Sequence, residues 1–114
     1  MKIIIDHTDT ILPEGVYSVR LMQLEKAPAT YSTRVRLRLD VLDEPHRGIK
    51  LTAWANYATS LDSKLVRWLC AFARTEPRAG MQLDATDLIG RTAKAAIGIR
   101  EENGIKFNRV EDIF

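Results

Sequence analysis

The 114-residue sequence has one cysteine, two histidines and no long apolar run, and each shortage excludes a class of protein. With Cys70 alone, the chain can form neither an internal disulfide nor a cysteine-based zinc site, which fits a reducing compartment. No apolar stretch approaches the roughly 18 residues of a membrane-spanning helix, and the opening "MKIIID" is shorter than the apolar region of a signal peptide. We therefore expect a cytoplasmic protein with no membrane segment.

The residue patterns of enzymes are also missing. His7 and His46 fall in expected loops, and neither has a partner at the spacing of a metal site or of a nucleophile and its base. No phosphate-binding loop of the GxxxxGK[ST] kind occurs. The carboxylates Asp84 and Asp87 are explained by the start of a short helix, where such residues are common. An enzyme is the least expected class, and we predict no metal and no cofactor.

The composition is that of one folded domain covering residues 1–114. Hydrophobic residues make up 46% and charged residues 28%, which is enough for a single core. The apolar segment 1–12 contains "KIIID" and is suited to pair with an exposed sheet edge, its own or that of a second copy, so we expect a homo-oligomer. The net charge is only +2, so any anionic partner must be bound by a local group of cations.

Alternating apolar and polar residues predict five strands. The predicted strands are 16–27, 33–43, 49–56, 92–102 and 105–114. The first is apolar on both faces around 22–24, which predicts a bend or bulge where it passes between two sheets. Turns are predicted at 27–30 and at Asn103-Gly104, the latter of the kind found in tight hairpins.

One segment has helical periodicity. Residues 60–74 form an amphipathic pattern, with Ser60 or Asp62 as the candidate N-cap. The apolar face of this helix is predicted to consist of Leu61, Leu65, Trp68, Leu69 and Phe72. A single helical turn is predicted within 83–90, capped by Asp84.

Three strands, a helix and two strands give an all-β protein with one helix. This order predicts a five-stranded OB-fold Greek-key barrel with the helix between strands 3 and 4. A β-sandwich or an SH3-type barrel is the alternative, although either would leave the 60–74 helix harder to place.

The second strand carries a row of arginines at alternate positions, Arg34, Arg36 and Arg38. Residues two apart on a strand are separated by roughly 6.6–7 Å, close to the phosphate spacing of an extended single strand. If strands 2 and 3 pair, the outward residues of the third strand lie beside this row; they are Lys50, Thr52, Trp54 and Asn56. Cations next to an exposed indole are what proteins use to hold the backbone and stack the bases of single-stranded nucleic acid.

Other interpretations remain open at this point. A row of arginines also serves solubility or protects a sheet edge, and Trp54 would join the core if it turned inward at a bulge. Trp68 is expected in the core, whereas the orientation of Phe107 is undecided. Further candidates for the binding face are Tyr31, Tyr57, Lys94 and Arg100.

Several stretches resemble the small OB-fold single-stranded-DNA-binding proteins of bacteriophages and related viruses. The resemblance covers nearly the whole chain and includes "LPEGVYSVRL", "GIKLTAWAN" and "SKLVRWLCAF", with "DLIGR" and the closing "FNRV" as its most specific parts. It implies binding of single-stranded DNA without sequence specificity in phage DNA replication, recombination or repair, in the host cytoplasm. The binding face that it implies comprises Arg34, Arg36, Arg38, Lys50 and Trp54.

The resemblance also implies replication or recombination proteins as partners. In related proteins a long acidic tail recruits them, but here "VEDIF" follows the last strand with no linker. Two alternative functions remain: an OB-fold protein-interaction module of a replication or recombination complex, and a binder of single-stranded RNA, because no residue is identified that reads a 2′-hydroxyl.

Overall fold

The structure of the chain, a computed structural model, describes residues 11–28 and 33–114. Its strands are β1 (Gly15–Pro28), β2 (Thr33–Val41), β3 (Lys50–Asn56), β4 (Thr92–Glu102) and β5 (Ile105–Ile113). Its helices are α1 (Lys64–Ala73) and the single turn α2 (Ala85–Leu88). The prediction of a mainly β protein, with five strands and its main helix between the third and fourth, is confirmed. The "KIIID" segment and the end of the 27–30 turn lie outside the described residues.

The five strands form one antiparallel sheet in the order β3-β2-β1-β4-β5. The end strands β3 and β5 contact each other, although no backbone ladder joins them within the described residues. A closed barrel therefore stays a prediction. The sandwich alternative is not supported, because a sandwich consists of two packed sheets and all five strands lie in one sheet.

The first strand, β1, is shared between two neighbours. Residues 15–20 pair with β4 and residues 19–28 pair with β2. The register against β2 shifts between Leu21 and Gln23, so Met22 is the extra residue of a β-bulge and the predicted irregularity at 22–24 is confirmed. Both halves of β1 belong to the same sheet, so the expected passage between two sheets is wrong.

The helix α1 begins later than the sequence suggests. Ser63 is its N-cap: its backbone is extended, and its side-chain oxygen accepts a hydrogen bond from the Val66 N–H at 3.2 Å. The predicted caps Ser60 and Asp62 are therefore wrong. Leu61 precedes the helix and is 49% exposed, so it does not belong to the buried helical face.

The core lies between α1 and the inward faces of the strands. Its strand residues alternate as predicted; those of β2 and β3 are Val35, Leu37, Leu39, Val41, Leu51, Ala53 and Ala55. From α1, Leu65, Trp68 and Phe72 pack against them, and the Trp68 Nε1–H donates to Asp112 Oδ1 at 2.9 Å. Trp68 is thus a core residue, as predicted. Burial also raises the pKa of the Cys70 thiol, which favours its unreactive protonated form.

The predicted turn at Asn103-Gly104 and the predicted turn of helix at 83–90 are confirmed, whereas Ala27 and Pro28, predicted in a turn, belong to β1. The β4–β5 hairpin turns at Asn103 and Gly104, both with positive φ (52° and 78°), which is the geometry expected for this pair. Asp84 caps α2 by accepting the Thr86 N–H at 2.9 Å. No helix in the described part of the chain is both long and apolar enough to cross a membrane.

Candidate nucleic-acid interface

The pairing of β2 with β3 brings the two predicted rows onto one face. In the register of this pair Arg36 lies opposite Trp54 and Arg38 lies opposite Thr52. Arg34 and Asn56 form the next pair toward one end. The alternate residues of both strands are buried, so the outward direction of these side chains is confirmed.

Trp54 lies on the surface between two arginines. Its side chain is 38% exposed, and the guanidinium carbons of Arg34 and Arg36 lie 4.8 and 5.8 Å from its ring centroid. Both distances are in the range of cation–π contacts, which hold the cations against the ring. The alternative in which Trp54 turns into the core is therefore wrong.

The arginine row is partly neutralised by a carboxylate of β1. Glu25 lies opposite Arg36 in the β1–β2 register and forms an ion pair with it. The same carboxylate oxygen lies 3.9 Å from the Nε of Arg38. Two of the three arginines therefore share one negative charge and do not present their full charge to a ligand.

The bulge in β1 causes this neutralisation. Before the bulge, Leu21 pairs with Leu39. After it, Gln23 pairs with Arg38, where Met22 would have been without the bulge, so every later residue of β1 is displaced by one position along β2. The shift by one residue places Glu25, and not Leu24, opposite Arg36, because side chains alternate between the two faces.

The two ends of this face differ in charge. Lys50 Nζ lies 3.1 Å from Asp40 Oδ1, so this cation is also paired. At the opposite end, Arg34 makes no ion pair among the described residues. Of the three arginines in the row, Arg34 is thus the one without an ion pair among the described residues.

Beside this face lies a groove of about 850 Å³ between β3 and β5, here called the β3–β5 groove. Its walls carry two aromatic side chains, Trp54 from β3 and Phe107 from β5, the latter 37% exposed. The cations that line it are Arg34, Lys50, Lys64, Lys106 and Arg109. Among the residues that the structure describes, no carboxylate lines the groove, and all of these cations except Lys50 are without an ion pair.

The floor of the groove is fixed by a pair of hydrogen bonds. The Asn108 side chain accepts the Leu12 N–H at 2.8 Å and donates to the Leu12 carbonyl at 2.9 Å. These bonds hold the chain that precedes β1 against β5, next to the groove residue Ile11. They also occupy the carboxamide of Asn108, which is the only side-chain amide in the lining.

Sequence reasoning missed Lys64, Lys106 and Arg109 and left Phe107 undecided. The signal was present in "IKFNRV", where two cations and an aromatic residue stand close together within one short strand. The predicted barrel implies that β3 and β5 approach each other, as they do, but it does not identify which side chains of β5 line the space between them. Of the predicted residues, Thr52 lines the groove, and Asn56 lines a smaller hollow beside it with Trp54 and Arg34.

Other predicted site residues are not part of this groove. Arg100 forms an ion pair with Glu111 at 2.8 Å. Lys94 lies on the outer face of β1 and β4, where its Nζ donates to Ser18 Oγ at 2.8 Å. Tyr57 is exposed but lies under Lys26, in a mainly apolar hollow. Tyr31 lies outside the described residues.

The groove is suited to bind an extended anion with aromatic groups. Among residues 11–28 and 33–114, no three His, Cys, Asp or Glu side chains are grouped to hold a metal ion. No family model and no curated protein matches the chain. The functional proposal therefore rests on the groove and its charge.

Proposed function

We propose that this protein binds single-stranded DNA without sequence specificity through the β3–β5 groove and the adjoining Arg34 end of β2. The observation that carries the proposal is the composition of the groove within residues 11–28 and 33–114: five cations, two exposed aromatic rings and no carboxylate. Lysine and arginine bind phosphates of any sequence, and releasing the counterions of the strand favours binding. Aromatic rings stack on any base whose face is free, as it is in a single strand.

The absence of sequence specificity follows from the hydrogen-bonding groups in the groove. Bases are distinguished mainly by side chains that donate or accept at their edges, often amides and bidentate arginines. The carboxamide of Asn108 is already bonded to Leu12, and Arg34 lies against the Trp54 ring. Among the described lining residues, Thr52 and the indole N–H of Trp54 are the other neutral side-chain groups able to bond a base edge, and we assign Arg109 to a phosphate, so we expect stacking and phosphate contacts to dominate.

The resemblance to phage single-stranded-DNA-binding proteins supports the same function. It extends the proposal to a role in replication, recombination or repair of phage DNA in the host cytoplasm. We also propose that the protein forms homo-oligomers and that replication or recombination proteins are its partners. Binding of DNA by the full chain is the part of this proposal that is tested first.

The test is a titration of the full chain with oligo-dT, followed by tryptophan fluorescence and by anisotropy of labelled DNA. We expect micromolar or tighter binding at low salt, weaker binding as salt rises, and quenching that comes from Trp54, because Trp68 is fully buried. Trp54→Phe should remove most of the quenching while anisotropy still reports binding. Duplex DNA and oligo-U serve as competitors, and tighter binding of oligo-U would reassign the ligand to RNA. No binding of oligo-dT at low salt would contradict the proposal.

A further inference from the structure

Several free cations lie away from the β3–β5 groove, on the outer face of β1 and β4. In the register of this pair, Ser18 lies opposite Lys94 and Arg20 lies opposite Thr92. Arg74, which follows α1, also reaches this face, where its Nη2 donates to Thr92 Oγ1 at 3.2 Å. These cations make no ion pair among residues 11–28 and 33–114.

Neutral hydroxyl groups hold two of these cations in place. Lys94 bonds Ser18, and Arg74 bonds Thr92, so both side chains are oriented while keeping their full charge. This differs from the row on β2, where Glu25 both orients and neutralises Arg36. Lys94 and Arg20 are diagonal neighbours across the pair, roughly 7–8 Å apart, which is near the phosphate spacing of an extended strand.

The two hydroxyl-held cations line a hollow of about 510 Å³, here called the β1–β4 hollow. An aromatic ring completes it: Phe114 is 58% exposed, and its backbone N–H and C=O are bonded to Lys94 at 2.8 and 2.9 Å. Among the described residues no side-chain carboxylate lines the hollow; Asp43, which lies nearby, accepts the Ser18 N–H at 2.8 Å. In the described part of the chain the hollow shares no residue with the groove, yet it likewise combines cations that form no ion pair with an exposed aromatic ring.

We propose that the β1–β4 hollow is a second contact for the same single strand of DNA, used when the strand is longer than the groove. The inference rests on the proposed function of the groove and adds to it a path around the domain. An acidic protein would be drawn by the cations alone. The backbone of Phe114 is bonded to that of Lys94, and its exposed ring favours a ligand that offers both phosphates and stacking bases.

The test uses the full chain, the double variant Arg74→Ala/Lys94→Ala and oligo-dT of two lengths. The lengths are about 8 and about 40 nucleotides, chosen around the roughly 4–16 nucleotides that one domain of this type covers. Arg47→Ala is the matched control, because Arg47 is an exposed arginine paired with Glu44 in the loop after β2. Binding of the short strand by each variant also reports that the groove is folded.

For the double variant, we expect a loss of affinity for the long strand of about tenfold at low salt, and a salt slope lower by about 1.4, or about 0.7 for each lost contact. Its affinity for the short strand should stay within about twofold of that of the unchanged chain, as should both affinities of the control.

An unchanged long-strand affinity and salt slope in the double variant would overturn the second contact and leave the groove in place. Failure of the unchanged chain to bind either length would overturn both proposals. A third arm measures poly-glutamate binding. If the double variant loses poly-glutamate binding while its DNA binding is unaffected, the hollow is a site for an acidic protein and the proposal is wrong.

Discussion

The arginine row of β2 and the β3–β5 groove are both rich in cations, but they differ in how those charges are balanced. In the row, Glu25 engages Arg36 and approaches Arg38. In the groove, four of the five cations make no ion pair with any described residue, and they are contributed by β2, α1 and β5. Regular spacing of arginines along one strand therefore does not show that their charge is available. The neighbouring strand decides this.

The difference has a thermodynamic consequence for binding a phosphate. At Arg36 a phosphate must replace Glu25, so one charged hydrogen bond is exchanged for another and little is gained. At Arg109 a phosphate replaces water and gains a charge-assisted contact. The ion pair with Glu25 instead holds Arg36 beside Trp54, and this contact helps to fix the ring at the edge of the groove.

The largest effect on DNA binding is expected from Trp54, where the row and the groove meet. Trp54→Ala removes a stacking surface and should weaken binding of oligo-dT by about 1–3 kcal/mol, whatever the sequence. Trp54→Phe keeps an aromatic face and should retain most of the affinity. Anisotropy titrations of both variants measure the difference. An alanine variant that binds as tightly as the unchanged chain would remove Trp54 from the site.

A smaller loss is expected on the opposite wall of the groove. Phe107 is exposed on β5, so Phe107→Leu keeps an apolar side chain but loses the ring, and affinity should fall by about 1 kcal/mol. Ile89→Leu is the control, since Ile89 is an exposed apolar residue that does not line the groove. Equal effects of the two substitutions would mean that Phe107 does not stack on a base.

An increase in affinity is expected from the carboxylate of the row. Glu25→Gln frees Arg36 and Arg38, so binding of oligo-dT should tighten several-fold at low salt and the salt slope should rise by about 0.7 for each additional phosphate contact. Glu44→Gln is the control, because Glu44 pairs with Arg47 in a loop away from the groove. Weaker DNA binding by Glu25→Gln would contradict this expectation and would show that the intact ion pair between Glu25 and Arg36 is needed for binding.

No change in DNA affinity is expected from the second tryptophan. Trp68→Phe loses the hydrogen bond to Asp112 and part of the core volume, so the free energy of unfolding should fall by about 1–3 kcal/mol. Denaturant unfolding and oligo-dT anisotropy are measured on the same preparation. If Trp68→Phe binds oligo-dT more weakly under conditions in which it is still folded, the core and the groove are coupled.

Much of the fold could be predicted because local patterns determine it. The alternation in β2 and β3, the positive φ angles at Asn103 and Gly104, and the N-cap Asp84 each follow from short stretches of sequence. The start of α1 could not be predicted, because three candidate caps occur within four residues and the structure uses Ser63. The bulge at Met22 was visible as an irregular pattern, but the resulting register was not.

The candidate site was predicted in part for the same reason. The shared face of Arg36 and Trp54 depends on the pairing of consecutive strands, which is the commonest arrangement. The pairing of Glu25 with Arg36 depends on a one-residue shift in β1, and the contribution of Arg109 depends on a contact between distant strands. Neither is encoded in a short stretch of sequence.

The most direct test of the account compares Arg109→Gln with the double variant Glu25→Gln/Arg36→Gln, using the salt dependence of oligo-dT binding. The first removes a free cation of the groove, and the second removes an ion pair of the row as a unit. We predict that Arg109→Gln lowers the salt slope by about 0.7, whereas the double variant does not lower it. A slope that falls as much in the double variant as in Arg109→Gln would contradict the claim that the free cations of the groove, and not the arginine row, bind the strand.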